Sequence, residues 1–243
     1  MITLRNESDD TSLNGDVLAV CCDVVAACAQ IVASDPPLGQ KPFVVQQADD
    51  GIPRACLNGL PNEYIANITC LHTRQYAQIG FQLGHELAHF YVNPHFSNWF
   101  IESVCTAISF RCLAALTDRW ATAPPFPHWR GYAPSFTKYR QDIVADALPS
   151  AELATVKDIP QWVCHSLRSV VLAGNFSRQH EMLCGDMIAD VMVQHRSACL
   201  AVTKLGMASQ VAGITNFIAW QESVSTGEAV LVDILATDFR HGF

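Results

Sequence analysis

Apolar positions recur at helical spacing over most of this chain and in short strand-like runs only near its start. Residues 2–5 read as a short strand. Residues 15–33 carry helical periodicity behind Asn14-Gly15-Asp16, a plausible cap. Lys41–Gln47 contains Pro-Phe-Val-Val and reads as a strand, ended by Asp49-Asp50-Gly51-Ile52-Pro53. A second turn, Asn58-Gly59-Leu60-Pro61-Asn62, leads into Glu63–Cys70, which alternates and is rich in β-formers. From there the pattern predicts helices over 74–92 and, after a break at Asn93-Pro94, over 97–119. The Pro-rich stretch Ala123–Pro127 stops the second of these. Further helices fit 134–147, 160–173, 178–195, 197–208 and 213–224. The expectation is an α+β fold: a small sheet and helices in residues 1–148, then a mainly helical region, 149–243, packed on it as one globular unit.

One predicted helix carries chemistry. In Gly84-His85-Glu86-Leu87-Ala88-His89-Phe90 the two histidines stand four residues apart, so one helix face can present both imidazoles to a single ion. Glu86 lies about 100° round the helix, beside that ion rather than on it, where a general base belongs. Ile79, Leu83, Leu87 and Phe90 form an apolar stripe on the other side. The helix thus divides into a wet ligand face and a dry packing face.

Two residues compete as third ligand. Glu102 sits in Asn98-Trp99-Phe100-Ile101-Glu102-Ser103-Val104 on the next predicted helix, which can run back past the first and complete a His₂Glu site. Asn98, Cys105, Thr106 and Ser109 accompany it, small enough for close helix approach and polar enough to support the ligands. His95 is the alternative. It falls at the third histidine of the metzincin pattern, although Val92 stands where that pattern has glycine. Elsewhere, His180-Glu181-Met182-Leu183-Cys184 imitates half the motif and reads as a packed structural helix.

Composition narrows the class. Hydrophobic residues make up 50% of 243 and charged residues 16%, which excludes a disordered chain. The formal net charge of -8, with no Lys/Arg cluster, disfavours nucleic acid and anionic membranes as partners. The polar, acidic N-terminus lacks the basic and apolar regions of a signal peptide, and Val17–Ala33 is too short and interrupted for a membrane span. A cytoplasmic protein is expected. The ten cysteines include no CxxC pair, and several lie within apolar helical patterns, so they read as reduced, buried thiols.

At His85-Glu86-Leu87-Ala88-His89 and Glu102 the chain resembles the zincin metallopeptidases, and among them the gluzincins, whose third ligand is a glutamate on a following helix. The landmarks Tyr76-Ala77-Gln78, Asn98-Trp99-Phe100, Trp120, Pro124–Trp129 and Tyr132-Ala133 also resemble a bacterial family of zincin-like proteins. The resemblance implies one zinc ion and a small sheet beside the active helix. It also implies a sheet edge that binds extended peptide, for which Glu63–Cys70 is the candidate. The expected function is a zinc-dependent hydrolase, a peptidase acting on peptide or protein, with Glu86 as general base toward zinc-activated water. Tyr132, His128, Tyr139 and Tyr91 are the candidate oxyanion donors, and the sequence does not choose among them. The alternative is a binding or regulatory module that keeps the zincin fold and cleaves nothing.

Overall fold

The computed structural model describes residues 2–5, 8–35, 41–57, 62–93, 96–148, 159–209, 211 and 213–239. It is α+β, with a four-stranded mixed sheet and a predominance of helix. Two compact units divide the chain. The first comprises Met1–Tyr91 with Ile108–Arg140; the second comprises Val92–Ala107 with Gln141–Phe243. The sequence placed a boundary near residue 148. In the structure the division follows Arg140, and the stretch 92–107 groups with the C-terminal residues.

In the first unit, β1 (Ile2–Arg5) and β2 (Phe43–Gln47) are parallel and joined across α1 (Thr11–Val32). β4 (Tyr64–Ile68) adds parallel to β2, and the short β3 (Arg54–Cys56) closes the sheet antiparallel to β4, giving the order β1-β2-β4-β3. β4 is therefore an interior strand, hydrogen-bonded on both sides, and not the free edge expected of Glu63–Cys70. The reason is β3, which pairs Cys56, Ala55 and Arg54 with Ile65, Ala66 and Asn67. A peptide joining this sheet would have to pair with β1 or β3.

Helix α1 starts four residues ahead of the Asn14-Gly15-Asp16 cap. The Asp10 side chain accepts from the Ser12 and Leu13 amides, while Asn14 instead ties back to Ser8. With 22 residues, α1 is long and apolar enough to cross a membrane by length and composition, as is α3 (Trp99–Thr122). Length thus does not argue against a span in α1. Within the protein, 50% of the apolar window of α1 and 72% of that of α3 are buried, as in core helices.

α1 and α3 meet at a buried charge. Asp23 accepts from Trp120 Nε1 at 2.8 Å and pairs with Arg119 at 2.8 Å, so its carboxylate is satisfied although the residue is 5% exposed. Replacing Asp23 by Ala will orphan the buried indole N–H and lower stability by about 2 kcal/mol, read as a shift in urea midpoint at unchanged slope. Around Trp120 gather Tyr76, Trp129, Tyr132 and Phe136 with ring centroids 4.9–6.1 Å away. Trp129 and Tyr132 belong to a 3₁₀ turn, Pro127–Tyr132, and Phe136 to α4 (Ala133–Ala147).

The second unit packs α5 (Ile159–Leu172), α6 (Arg178–Gln194), α7 (Phe217–Ser223) and α8 (Thr226–Phe239) with the start of α3. Phe100 is its aromatic hub, touching Phe217, Trp220 and Phe239. The helix expected over 197–208 is a run of 3₁₀ turns, Arg196–Ala208. The helix expected over 213–224 is only α7: Gly213 turns at φ +79°, and the Asn216 side chain caps the helix by accepting from the Ala219 amide. Nine free cysteines occur among the described residues; seven of them lie in α1, α3, α6 and the 3₁₀ run Arg196–Ala208, and of these all but the exposed Cys22 are buried.

Candidate metal centre

α2 (Tyr76–Val92) is fixed at both ends and along its dry face. Its first turn is held by the Tyr76 hydroxyl donating to Asp16 at 2.9 Å and the Ala77 amide donating to the Tyr132 hydroxyl oxygen at 3.1 Å. Midway, the buried Gln82 side chain accepts from the Thr69 amide at 2.8 Å and donates to Thr69 Oγ1 at 2.7 Å, locking the helix to the end of β4. Ile79, Leu83 and Leu87 are fully buried, and Phe90 meets Phe43 and Tyr64 of the sheet edge-on. Asn93, at φ +44°, ends the helix in the left-handed region that asparagine tolerates.

α3 runs back against α2 at close range. A Cβ added to Gly84 would lie 3.2 Å from Ser109 Cα and 3.4 Å from Cys112 Cβ; one on Gly80 would meet Leu116 and Leu113. Small residues on both helices therefore set the approach, as the composition of the Glu102 helix suggested. The start of α3 is capped by buried Asn98, whose Oδ1 accepts from the Phe100 and Ile101 amides, and whose amide group donates to Thr215 Oγ1 at 3.0 Å.

Three of the expected ligands converge. The His85 and His89 rings sit one turn apart with centroids 5.1 Å from each other. Taking one ligand atom from each of His85, His89 and Glu102, all lie within 4.8 Å of one another. Ligand atoms held tetrahedrally at the usual zinc distances stand about 3.4 Å apart, so this set fits a cation after a modest change of rotamer. Two imidazoles and one carboxylate are the donor set of an open zinc site. Glu102 also accepts from Ser97 Oγ, a supporting contact that the sequence reading overlooked. Glu86 is 5% exposed and His89 9%, whereas His85 and Glu102 are half-buried. His95, the rival third ligand, lies outside the described residues.

The four donor candidates are distributed unevenly. Tyr132 bonds the Ala77 amide, eight residues before His85 and so about 12 Å along the helix axis. Burial raises its pKa, which keeps the phenol protonated. Tyr91 is buried on another side of α2, and its hydroxyl donates to the Ser34 carbonyl at 3.1 Å; burial raises its pKa as well. His128 is exposed and stacks on Phe126 in the 3₁₀ region. Tyr139 of α4 meets Phe81 with centroids 6.0 Å apart. Phe81 precedes His85 by one turn on the same helix face, so this contact sets Tyr139 one turn of α2 before the ligand stripe.

No protein-family model matches the chain, and no curated protein or solved structure resembles it at a significant level.

Proposed function

We propose that the chain is a zinc-dependent hydrolase of zincin type, a cytoplasmic peptidase in which His85, His89 and Glu102 hold one zinc ion. The observation that carries this reading is the convergence of those three ligand atoms beside Glu86. Zinc bound by such a set supplies Lewis acidity, making water acidic near pH 7 and polarising a carbonyl. Glu86 follows His85 directly, on the flank of the ligand face, and is the base that takes a proton from the attacking water and returns it to the leaving amine. Its low exposure keeps the carboxylate out of bulk solvent. Tyr139 is the favoured donor to the developing oxyanion. Peptide or protein is the substrate class, since the resemblance carried by the motif is to peptidases.

The third ligand has its own test. Glu102→Ala will lower zinc content to a small fraction of wild type, whereas His95→Ala will leave it unchanged, both read by elemental analysis of protein purified without chelator. The opposite pattern would transfer the ligand role to His95.

A non-catalytic module is the second reading, favoured by one observation. Of the four donor candidates, Tyr132, Tyr91 and His128 are engaged or placed away from the histidine stripe. Cleavage of a broad peptide library by zinc-loaded protein separates the two readings, because a module will yield no product.

A further inference from the structure

We propose that Glu181 is a positioning residue of the cation site, acting through the hydroxyl of Thr106 on the helix turn that follows Glu102. This rests on the zinc-site reading above. Glu102 and Thr106 are four residues apart on α3 and share one face, so whatever fixes Thr106 fixes the orientation of the ligand carboxylate's own turn. Thr106 is fully buried, and its Oγ1 donates to a Glu181 carboxylate oxygen at 2.6 Å. That is a short, charge-assisted bond, stronger than a neutral one.

The packing of α6 is shaped to make this bond. Gly185 stands one turn after Glu181 on the same helix face. A Cβ there would lie 2.5 Å from Thr106 Cγ2, 2.8 Å from Thr106 Cβ and 3.2 Å from the Ser103 carbonyl oxygen. Only glycine lets the α6 backbone come this close, and the approach delivers the Glu181 carboxylate to the hydroxyl. The two contacts grip Thr106 along one face of α6, from consecutive turns.

The chemistry of a threonine hydroxyl supplies the consequence. It has one hydrogen, and Glu181 takes it, so the oxygen presents only acceptor capacity to the ligand side of α3. The carboxylate also places a negative charge one helical turn along from Glu102. A cation at the site offsets the repulsion between the two acids, and each acid in turn favours the cation. The segment His180-Glu181-Met182-Leu183-Cys184 therefore contributes to the site as support, without contributing a ligand. Groups in this outer position commonly change metal affinity by 10–100-fold.

The test measures zinc affinity of the full chain by competition with a chelator, and the visible spectrum of the Co(II)-loaded protein. Thr106→Val and Glu181→Met, which removes the acceptor at nearly the same side-chain length, are each expected to weaken zinc binding by about tenfold and to alter the Co(II) bands. Combining them should cost little more than either alone, because both break one link. Thr106→Ser, which keeps the hydroxyl, should restore affinity to within about threefold of wild type. The inference is overturned if wild type binds zinc and both variants bind it equally well, even where their melting temperatures fall, since that is purely structural behaviour. Should Thr106→Val fail to fold, Glu181→Met, which leaves the Thr106 hydroxyl without this acceptor, decides alone. If wild type itself takes up no zinc, the cation reading fails first and this inference with it.

Discussion

Glu86→Gln will keep one zinc per chain while peptide turnover falls by at least about a hundredfold, the usual contribution of a general base. Glutamine matches glutamate in shape, so the buried position is filled and the surroundings of His85 and His89 are kept. What disappears is the ability to accept a proton. In a purely structural cation site the substitution would have no chemical consequence, which makes it the discriminating change. The check is a paired measurement on the same preparation: zinc by elemental analysis, and cleavage by mass spectrometry of a peptide mixture. Hydrolysis that persists with zinc still bound removes Glu86 from the mechanism.

Gly206→Ala will destabilise the protein by about 3 kcal/mol, the upper end for forcing one extra methyl into a packed interior. A Cβ at Gly206 would stand 2.2 Å from the Val92 carbonyl oxygen and 2.5 Å from that of Asn93. Neither atom can rotate away, because both are backbone, and Asn93 is already committed to a left-handed turn. The 3₁₀ segment must move off the end of α2, or the end of α2 must move. Thermal melting should report a fall of about 6–12 °C for a chain of this size. A melting temperature within a degree of wild type would mean that the close approach of Gly206 to residues 92 and 93 is not adopted in solution.

Helix α2 was legible because its apolar positions, Ile79, Leu83, Leu87 and Phe90, mark one face so regularly that the histidines could fall only on another. The grouping of His85, His89 and Glu102 was within reach of the same geometry together with a second apolar helix containing Glu102, while His95 remained the rival. β3 was not legible: Arg54–Cys56 is three residues behind Pro53, and its strand character comes from pairing with β4 rather than from its own pattern. α8 was overlooked because Ala229–Ala236 is almost continuously apolar, which hides the period by which Leu231, Val232, Leu235 and Phe239 reach the core. Glu181 shows a different limit. Its partner is 75 residues away, and the glycine that permits the contact, Gly185, reads in sequence as a weak point in a helix. Local pattern revealed which residues could bind an ion; it could not reveal that Glu181 bonds Thr106, one turn beyond Glu102.

The proposed function requires that His85, His89 and Glu102 bind an ion. Elemental analysis of protein purified without chelator measures this directly. About one zinc per chain is predicted for wild type, lost when His85 and His89 are both replaced by alanine. Wild-type protein that carries no zinc, and takes none up on dialysis against the ion, would contradict it.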